Sequence, residues 1–203
     1  MPSANFGEKT NLDNRSFFVE LKEKDDSIEF LIAGGGYYDG KHFMATEEGG
    51  WDIIDCPRIM EANPCDLCQK YFDLRKEAKD QEGDEKKATL KKARSFNAKI
   101  TFFYPIVDLE TDKPKVLKTV LSVRSQLESD HKKGLQVLGS AYELSRPEGE
   151  EDYYKLERLG VPKELSEETK TAYKEATEIN LEELIVGKQS SQKFQDDVKE
   201  AVL

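Results

Sequence analysis

Three cysteines and one histidine have the residue types and the spacing of a metal site. Thirteen residues separate His42 from Cys56, eight separate Cys56 from Cys65, and two separate Cys65 from Cys68. A Cys-x-x-Cys turn directs two thiolates at one ion, and zinc accepts thiolate and imidazole ligands in a closed tetrahedral Cys3His set. An odd, tightly clustered group of cysteines is a poor disulfide framework. We therefore predict one structural zinc, bound by His42, Cys56, Cys65 and Cys68.

The same residues match part of an enzyme motif. The segment 64–68, Pro-Cys-Asp-Leu-Cys, resembles the second half of the nucleobase deaminase motif. Those enzymes also require His-x-Glu, in which the glutamate transfers protons. Here Phe43-Met44 follows His42, and Glu47 lies too far along the chain for that role. Cys56 would also be a fourth protein ligand and would leave no position for a water, so a deaminase is a minor alternative.

Two further patterns carry little chemistry. Gly35-x4-Gly40-Lys41 resembles a phosphate-binding loop, but the next residue must be Ser or Thr to bind magnesium, and it is His42. The second histidine, His131, lies in a polar helical stretch and is predicted to be solvated. The acidic pairs define no acid–base dyad. We predict that the protein is not an enzyme.

Composition indicates a hydrophilic protein with an uneven distribution of charge. The chain has 203 residues, 37% hydrophobic and 35% charged, and a net charge of −10. This charge argues against a simple nucleic-acid binder, but residues 69–99 hold ten basic and six acidic residues. No stretch has the length of a membrane span, and the N-terminus lacks an apolar signal core. We expect a protein of a reducing compartment.

Hydrophobic periodicity predicts several short strands with one helix before the last of them. Strands are predicted at 17–22, 28–33, 51–54, 100–109 and 115–119, and a terminal hairpin at 135–144 and 153–159. Helices are predicted from residue 68, within 75–94, and at 120–132, 165–176 and 181–186. This order suits a small Greek-key barrel of five or six strands. A meander sheet with helices on one face is the alternative.

The predicted organisation has three parts. Residues 1–15 form a flexible N-terminus, and residues 16–160 form the mainly β core, with an inserted zinc subdomain at about 42–98. Residues 161–203 form a helical, partly mobile C-terminal tail, in which ten acidic and six basic residues follow Val161.

The ligand order His-x13-Cys-x8-Cys-x-x-Cys resembles the zinc site of the single-stranded DNA-binding proteins of tailed phages. The segment Lys91 to Ile100 is similar to the basic and aromatic segment that precedes a core barrel strand in that family. The turn at 111–114 and the helix from Val120 follow in the family's order. The resemblance covers roughly residues 15–160.

The resemblance implies an oligonucleotide-binding (OB) fold, one structural zinc and a basic cleft for single strands. It also implies an acidic C-terminal region that recruits replication and recombination enzymes. The expected function is to coat single-stranded DNA during phage replication, repair and recombination, without sequence preference, in the cytoplasm of a bacterial host. The sequence departs from the family's pattern in two places, the N-terminal arm and the C-terminal tail. Lys9 is the only basic residue among the first fourteen, and the tail is only mildly acidic.

Single strands are bound by cations on the phosphates and by aromatic faces under the bases. Because alternate positions of a strand face opposite sides, Phe102 and Tyr104 share one face and Phe103 takes the other. We assign Phe102 and Tyr104 to the cleft and Phe103 to the core. The predicted DNA-binding residues are Lys41, Arg58, Lys91, Lys92, Arg94, Phe96, Lys99, Phe102, Tyr104, Lys118 and Arg124.

Two alternatives remain open. The net negative charge favours a zinc-stabilised protein-interaction domain that does not bind nucleic acid. The C-terminal tail either competes with DNA for the basic cleft or caps the fold. Competition predicts that removal of residues 188–203 raises affinity for single strands, more at low salt than at high. A cap predicts unchanged affinity and a lower melting temperature.

Overall fold

The computed structural model of the chain describes residues 17–21, 26–146 and 154–186. The predictions for the flexible N-terminus, for the turn at 147–151 and for removal of residues 188–203 lie outside these residues. Two compact units divide the chain. Of the described residues, those up to Tyr37 and those from Phe103 onward belong to the first unit, and Tyr38–Phe102 is the second unit.

The described residues include eight strands and five longer helices, which follow one another in a mixed order. The strands are β1 Phe18–Val19, β2 Ser27–Ile32, β3 Tyr37–Ala45, β4 Trp51–Asp55, β5 Lys99–Asp108, β6 Lys113–Thr119, β7 Ala141–Ser145 and β8 Lys155–Gly160. The helices are α1 Pro57–Met60, α2 Asp66–Glu77, α3 Gly83–Arg94, α4 Leu121–Lys132 and α5 Glu167–Thr177. Residues 181–186 are also helical.

The strands form a mixed sheet in the order β1-β6-β5-β2-β7-β8, with β3 paired to β5 and β4 paired to β3. The β1–β6 pair is parallel, whereas β2–β5, β2–β7, β3–β4 and β7–β8 are antiparallel. The prediction of a sheet with helices is therefore confirmed, but the chain is not mainly β, because 36% of it is helix and 31% is strand. No strand was predicted at 37–45, so β3 was missed. Its glycine at position 40 and the three glycines before it obscured the strand pattern.

Apolar side chains bury both faces of β2 in the first unit. Phe30 and Ile32 belong to a cluster with Val123 and Leu127 of α4. The intervening Leu31 belongs to a cluster with Ala172 and Ala176 of α5. Helices therefore cover this part of the sheet on both faces, which explains the continuous apolar run of residues 30–33 at the end of β2.

The C-terminal helices are part of the first unit's core as far as residue 185. Leu181 and Ile185 are buried in a cluster with Phe103 and Val116. Ser166 caps α5, because its side chain accepts a hydrogen bond from the Thr169 backbone N–H at 2.9 Å. Residues 161–185, which the sequence placed in the tail, thus include segments that pack on the sheet.

The second unit buries few large side chains. The buried hydrophobic residues of Tyr38–Phe102 are Cys56, Cys68, Ala78, Ala93 and Phe102, and His42 is fully buried as well. Small domains with such limited apolar burial usually depend on disulfides or on a metal. The three cysteines of this unit are free thiols, so a metal is the available stabiliser.

Gly36 is predicted to be intolerant of any side chain. A Cβ at this position would lie 2.4 Å from the Tyr104 ring, whereas a Cβ at Gly35 would meet nothing within 4 Å. Because a ring cannot bend away as an aliphatic chain does, Gly36→Ala should lower the free energy of unfolding by about 1–3 kcal/mol. Urea unfolding of Gly36→Ala beside Gly35→Ala measures this difference. Equal stability of the two variants would show that the Tyr104 ring moves freely.

Candidate functional site

One strand and two helix starts of the second unit bring the predicted metal ligands together. His42 lies within β3, and Cys56 follows β4 and precedes α1. The Cys56 backbone N–H donates to the Gly40 carbonyl at 2.8 Å, which fixes that turn against β3. Cys65 occupies the N-cap position of α2, and Cys68 lies in the first turn of that helix.

The four ligand atoms form a compact cluster, all within 4.8 Å of one another. The Sγ atoms of Cys56 and Cys68 are 3.4 Å apart. His42 Nε2 is 3.3 Å from Cys65 Sγ and 3.7 Å from Cys68 Sγ. A tetrahedral zinc site with ordinary bond lengths has ligand–ligand distances of about 3.4–3.8 Å. The predicted ligands therefore meet in a cluster that fits a structural metal ion.

A backbone contact sets the orientation of the His42 ring. Nδ1 is 2.9 Å from the Phe96 carbonyl oxygen, to which it donates a hydrogen bond. This tautomer leaves the Nε2 lone pair directed at the thiols. A ligating histidine commonly uses its second nitrogen in this way, which fixes the ring and raises ligand basicity. Phe96 follows α3, so the helix is linked to the cluster through this carbonyl.

The electrostatics of the thiols also favour a cation. Burial, together with the neighbouring Cys56 and Cys65 thiols, raises the pKa of Cys68 to about 12. Burial also acts to raise the pKa of Cys65, but hydrogen bonds from the Cys68 backbone and side chain, from Cys56 and from the Leu67 backbone outweigh it and lower that pKa. A divalent ion would compensate the repulsion among three thiolates, as metal sites do.

The basic residues predicted from the 91–99 segment are exposed. Lys91, Lys92 and Arg94 lie at the C-terminal end of α3, and Lys99 begins β5. The Lys99 ammonium lies 5.1 Å from the centre of the Phe43 ring.

Phe96 is half-buried, and the Lys70 ammonium lies 4.4 Å from the centre of its ring. The ring is therefore already next to a cation that could also meet a phosphate.

Three other predicted DNA-binding residues of the second unit are engaged in contacts within the protein or are buried. Lys41 forms ion pairs with Asp39 at 3.4 Å and with Asp55 at 3.8 Å, which offset its charge. The Arg58 guanidinium lies 4.5 Å from the centre of the Phe72 ring. Phe102 is only 3% exposed, so its ring face is not open to a base in this conformation.

The remaining predicted residues belong to the first unit. Tyr104 is half-buried and lines an apolar pocket of about 350 Å³, and burial raises its pKa. Lys118 forms an ion pair with Glu20 at 3.0 Å. Arg124 forms one with Glu128 at 2.6 Å. His131 is exposed, as expected for a solvated side chain.

The β3–β4 hairpin carries an apolar face, with an exposed tryptophan and a half-buried phenylalanine, that the sequence did not predict. Phe43 pairs with Ile53, and Ala45 pairs with Trp51. Residues directly opposite share a face, and diagonal neighbours are within reach of an aromatic ring, so Trp51, Ile53 and Phe43 lie on one side. Trp51 is 66% exposed and Ile53 is 59% exposed. The alternation of Trp51 and Ile53 in the sequence was the available signal, but without β3 it had no partner strand.

Comparison of the chain with known families, curated proteins and solved structures gives no match. In the described part of the chain, no helix is long and apolar enough to cross a membrane.

Proposed function

We propose that this protein binds single-stranded DNA without sequence preference and that a structural zinc ion maintains the binding surface. The observation that carries the proposal is the hairpin face formed by Trp51, Ile53 and Phe43, with Lys99 over the Phe43 ring at 5.1 Å. Aromatic rings with cations nearby are the combination that binds unpaired bases together with their phosphates, and here Trp51 is the exposed ring and the half-buried Phe43 is the ring beside the cation. A duplex hides its base faces, so such a surface favours single strands.

The charge of the helical segment supports this surface. Residues 69–99 carry four more basic than acidic residues, whereas the chain as a whole carries −10. Lys91, Lys92 and Arg94 all lie in the last turn of α3. A local excess of exposed cations attracts the phosphate backbone even when the net charge is negative.

The strand order supports an OB-type interpretation of the sheet. Four strands lie side by side in the order β7-β2-β5-β6. Along the chain, β2, β5 and β6 come first, with the β3–β4 hairpin inserted between β2 and β5. The fourth strand, β7, follows α4 and lies beside β2. This is the 4-1-2-3 order of a Greek key. An OB fold is a partly open Greek-key barrel that often binds oligonucleotides.

The metal would serve the proposed function structurally. His42, Cys56, Cys65 and Cys68 would be its ligands, and Cys3His is a closed zinc set that leaves no position for a catalytic water. The metal joins β3, the turn after β4 and the start of α2. It therefore holds the hairpin that carries Trp51. By this proposal the protein coats single strands in phage replication, repair and recombination and is not an enzyme.

Titration of a fluorescent oligonucleotide, single-stranded and then as a duplex, at several salt concentrations tests this function. We expect a clear preference for the single strand and a linear fall of log affinity with log salt concentration, because binding releases counterions. Equal, weak binding of both forms would contradict the proposal. It would favour the alternative of a protein-interaction domain, for which the exposed apolar edge of β4 would be the contact.

Substitution of the cations at the end of α3 should change the salt dependence. We predict that Lys91→Ala with Lys92→Ala lowers the slope of log affinity against log salt by up to about 2, since each phosphate contact contributes about 1. Lys170→Ala with Lys174→Ala makes the same change in net charge on α5 and is the matched control. Identical slopes for both double variants would exclude Lys91 and Lys92 as phosphate contacts.

A further inference from the structure

The four members of the metal cluster differ sharply in access to solvent. Cys56 is fully buried, Cys68 is 7% exposed, and His42 is fully buried. Cys65 is only partly buried and lines an open pocket of about 570 Å³, which the more deeply buried Cys68 also lines and which Cys56 does not reach. A small oxidant entering this pocket therefore meets the sulfur of Cys65 before it can meet that of Cys56.

The backbone also places a second cysteine beside Cys65. Cys65 is the N-cap of the twelve-residue helix α2, and Cys68 follows it in the first helical turn. A Cys-x-x-Cys turn directs two sulfurs at one point. Cys68 lies near enough to react with Cys65, because the ligand atoms of the cluster are all within 4.8 Å of one another.

We propose that Cys65 is an oxidation site through which hydrogen peroxide releases the metal, with Cys68 as the resolving thiol. The Cys65 thiolate attacks one peroxide oxygen, the O–O bond breaks, and Cys65 becomes a sulfenic acid while hydroxide leaves. The Cys68 thiolate then attacks the Cys65 sulfur, the S–S bond forms, and a second hydroxide leaves. Two protons convert the hydroxides to water. The two sulfurs supply both electrons, and the metal leaves as the divalent ion.

The order of modification in the zinc-loaded, full-length protein tests the proposal. Limiting hydrogen peroxide is added, zinc release is followed with a chromogenic chelator, and the cysteines are mapped by mass spectrometry after alkylation. We expect one zinc released per Cys65–Cys68 disulfide, with Cys56 reduced in the first product. A first disulfide that contains Cys56 would overturn the proposal, as would zinc release without any disulfide.

Two variants separate reactivity from metal binding. Cys65→His keeps a zinc-ligating group but removes the exposed thiol, and Cys56→His makes the same exchange at a buried ligand. Each is first shown to contain zinc by elemental analysis. We expect peroxide to release zinc from Cys65→His at least tenfold more slowly than from Cys56→His, and equal rates would overturn the proposal. If either variant lacks zinc, the proposal is judged by the mass-spectrometric map of the cysteines in the unsubstituted protein.

The expected effect of oxidation on DNA binding rests on the proposed function. The oxidation site and the proposed function can nevertheless be tested separately. Oxidised protein should lose affinity for single strands and recover it after reduction in the presence of zinc. If the Cys65–Cys68 disulfide forms and zinc is released while the reduced, loaded protein never binds DNA, the oxidation site stands and the proposed function does not.

Discussion

Replacement of Cys68 by serine is expected to abolish metal binding and to unfold the second unit, Tyr38–Phe102. Cys68 is 7% exposed, and its sulfur lies 3.4 Å from Cys56 Sγ. A serine hydroxyl is a poor zinc ligand in this position and leaves a buried polar group among thiols. Structural zinc contributes on the order of 10–16 kcal/mol of apparent binding free energy in small domains, and the second unit has little apolar burial to replace it.

Elemental analysis and amide hydrogen exchange measure the two parts of this prediction. Zinc should fall from one per chain to none, and protection should be lost in β3, α2 and α3. Protection should persist in β2 and β7 of the first unit, whose cluster contains Phe30, Tyr142 and Leu144. Removal of zinc from the unsubstituted protein with a chelator should reproduce the same pattern.

Ser129→Ala, a single-residue change on α4 of the first unit, is the control for Cys68→Ser. It should retain full zinc occupancy and full protection in the second unit. Native-like protection of Tyr38–Phe102 in zinc-free protein would contradict the structural role of the metal.

Replacement of Trp51 by alanine should weaken the binding of single-stranded DNA by about 5- to 150-fold, the equivalent of about 1–3 kcal/mol for one stacked base. Trp51 is 66% exposed on β4, a strand with no buried residue. Its loss should therefore change the folding free energy little. This variant should therefore lose affinity for DNA without losing stability. Replacement of a core aromatic residue would lower both.

Trp51 is the only tryptophan of the chain, so its fluorescence reports the contact directly. Addition of an oligonucleotide should quench this fluorescence along the same titration curve as the affinity measurement. Trp51→Phe keeps a ring for stacking and should retain most of the affinity. Ile54→Ala removes an exposed apolar side chain of the same strand from its other face and is the matched control. Unquenched fluorescence at saturating DNA would exclude Trp51 from the contact.

The spacing of the metal ligands by itself was sufficient to predict the candidate site. His42, Cys56, Cys65 and Cys68 converge in the structure as their types and separations suggested. Ligand chemistry is local, because a Cys-x-x-Cys turn at a helix start brings two sulfurs together whatever the rest of the fold does. Helix α4 was equally readable, since an apolar period is followed by Gly134, whose φ of 77° is a conformation that glycine adopts at little cost.

Only the tertiary structure decided which aromatic side chains are exposed. Strand alternation placed Phe102 and Phe103 on opposite faces, but it could not show that both faces are covered. Phe102 is 3% exposed, with its ring centre 6.3 Å from that of Tyr38, and Phe103 is 7% exposed in a cluster with Val116. A two-residue period fixes relative direction only, whereas exposure depends on which distant segments pack against each face. For the same reason Trp51 could be recognised as part of an exposed face only once β3 was known to be its partner strand.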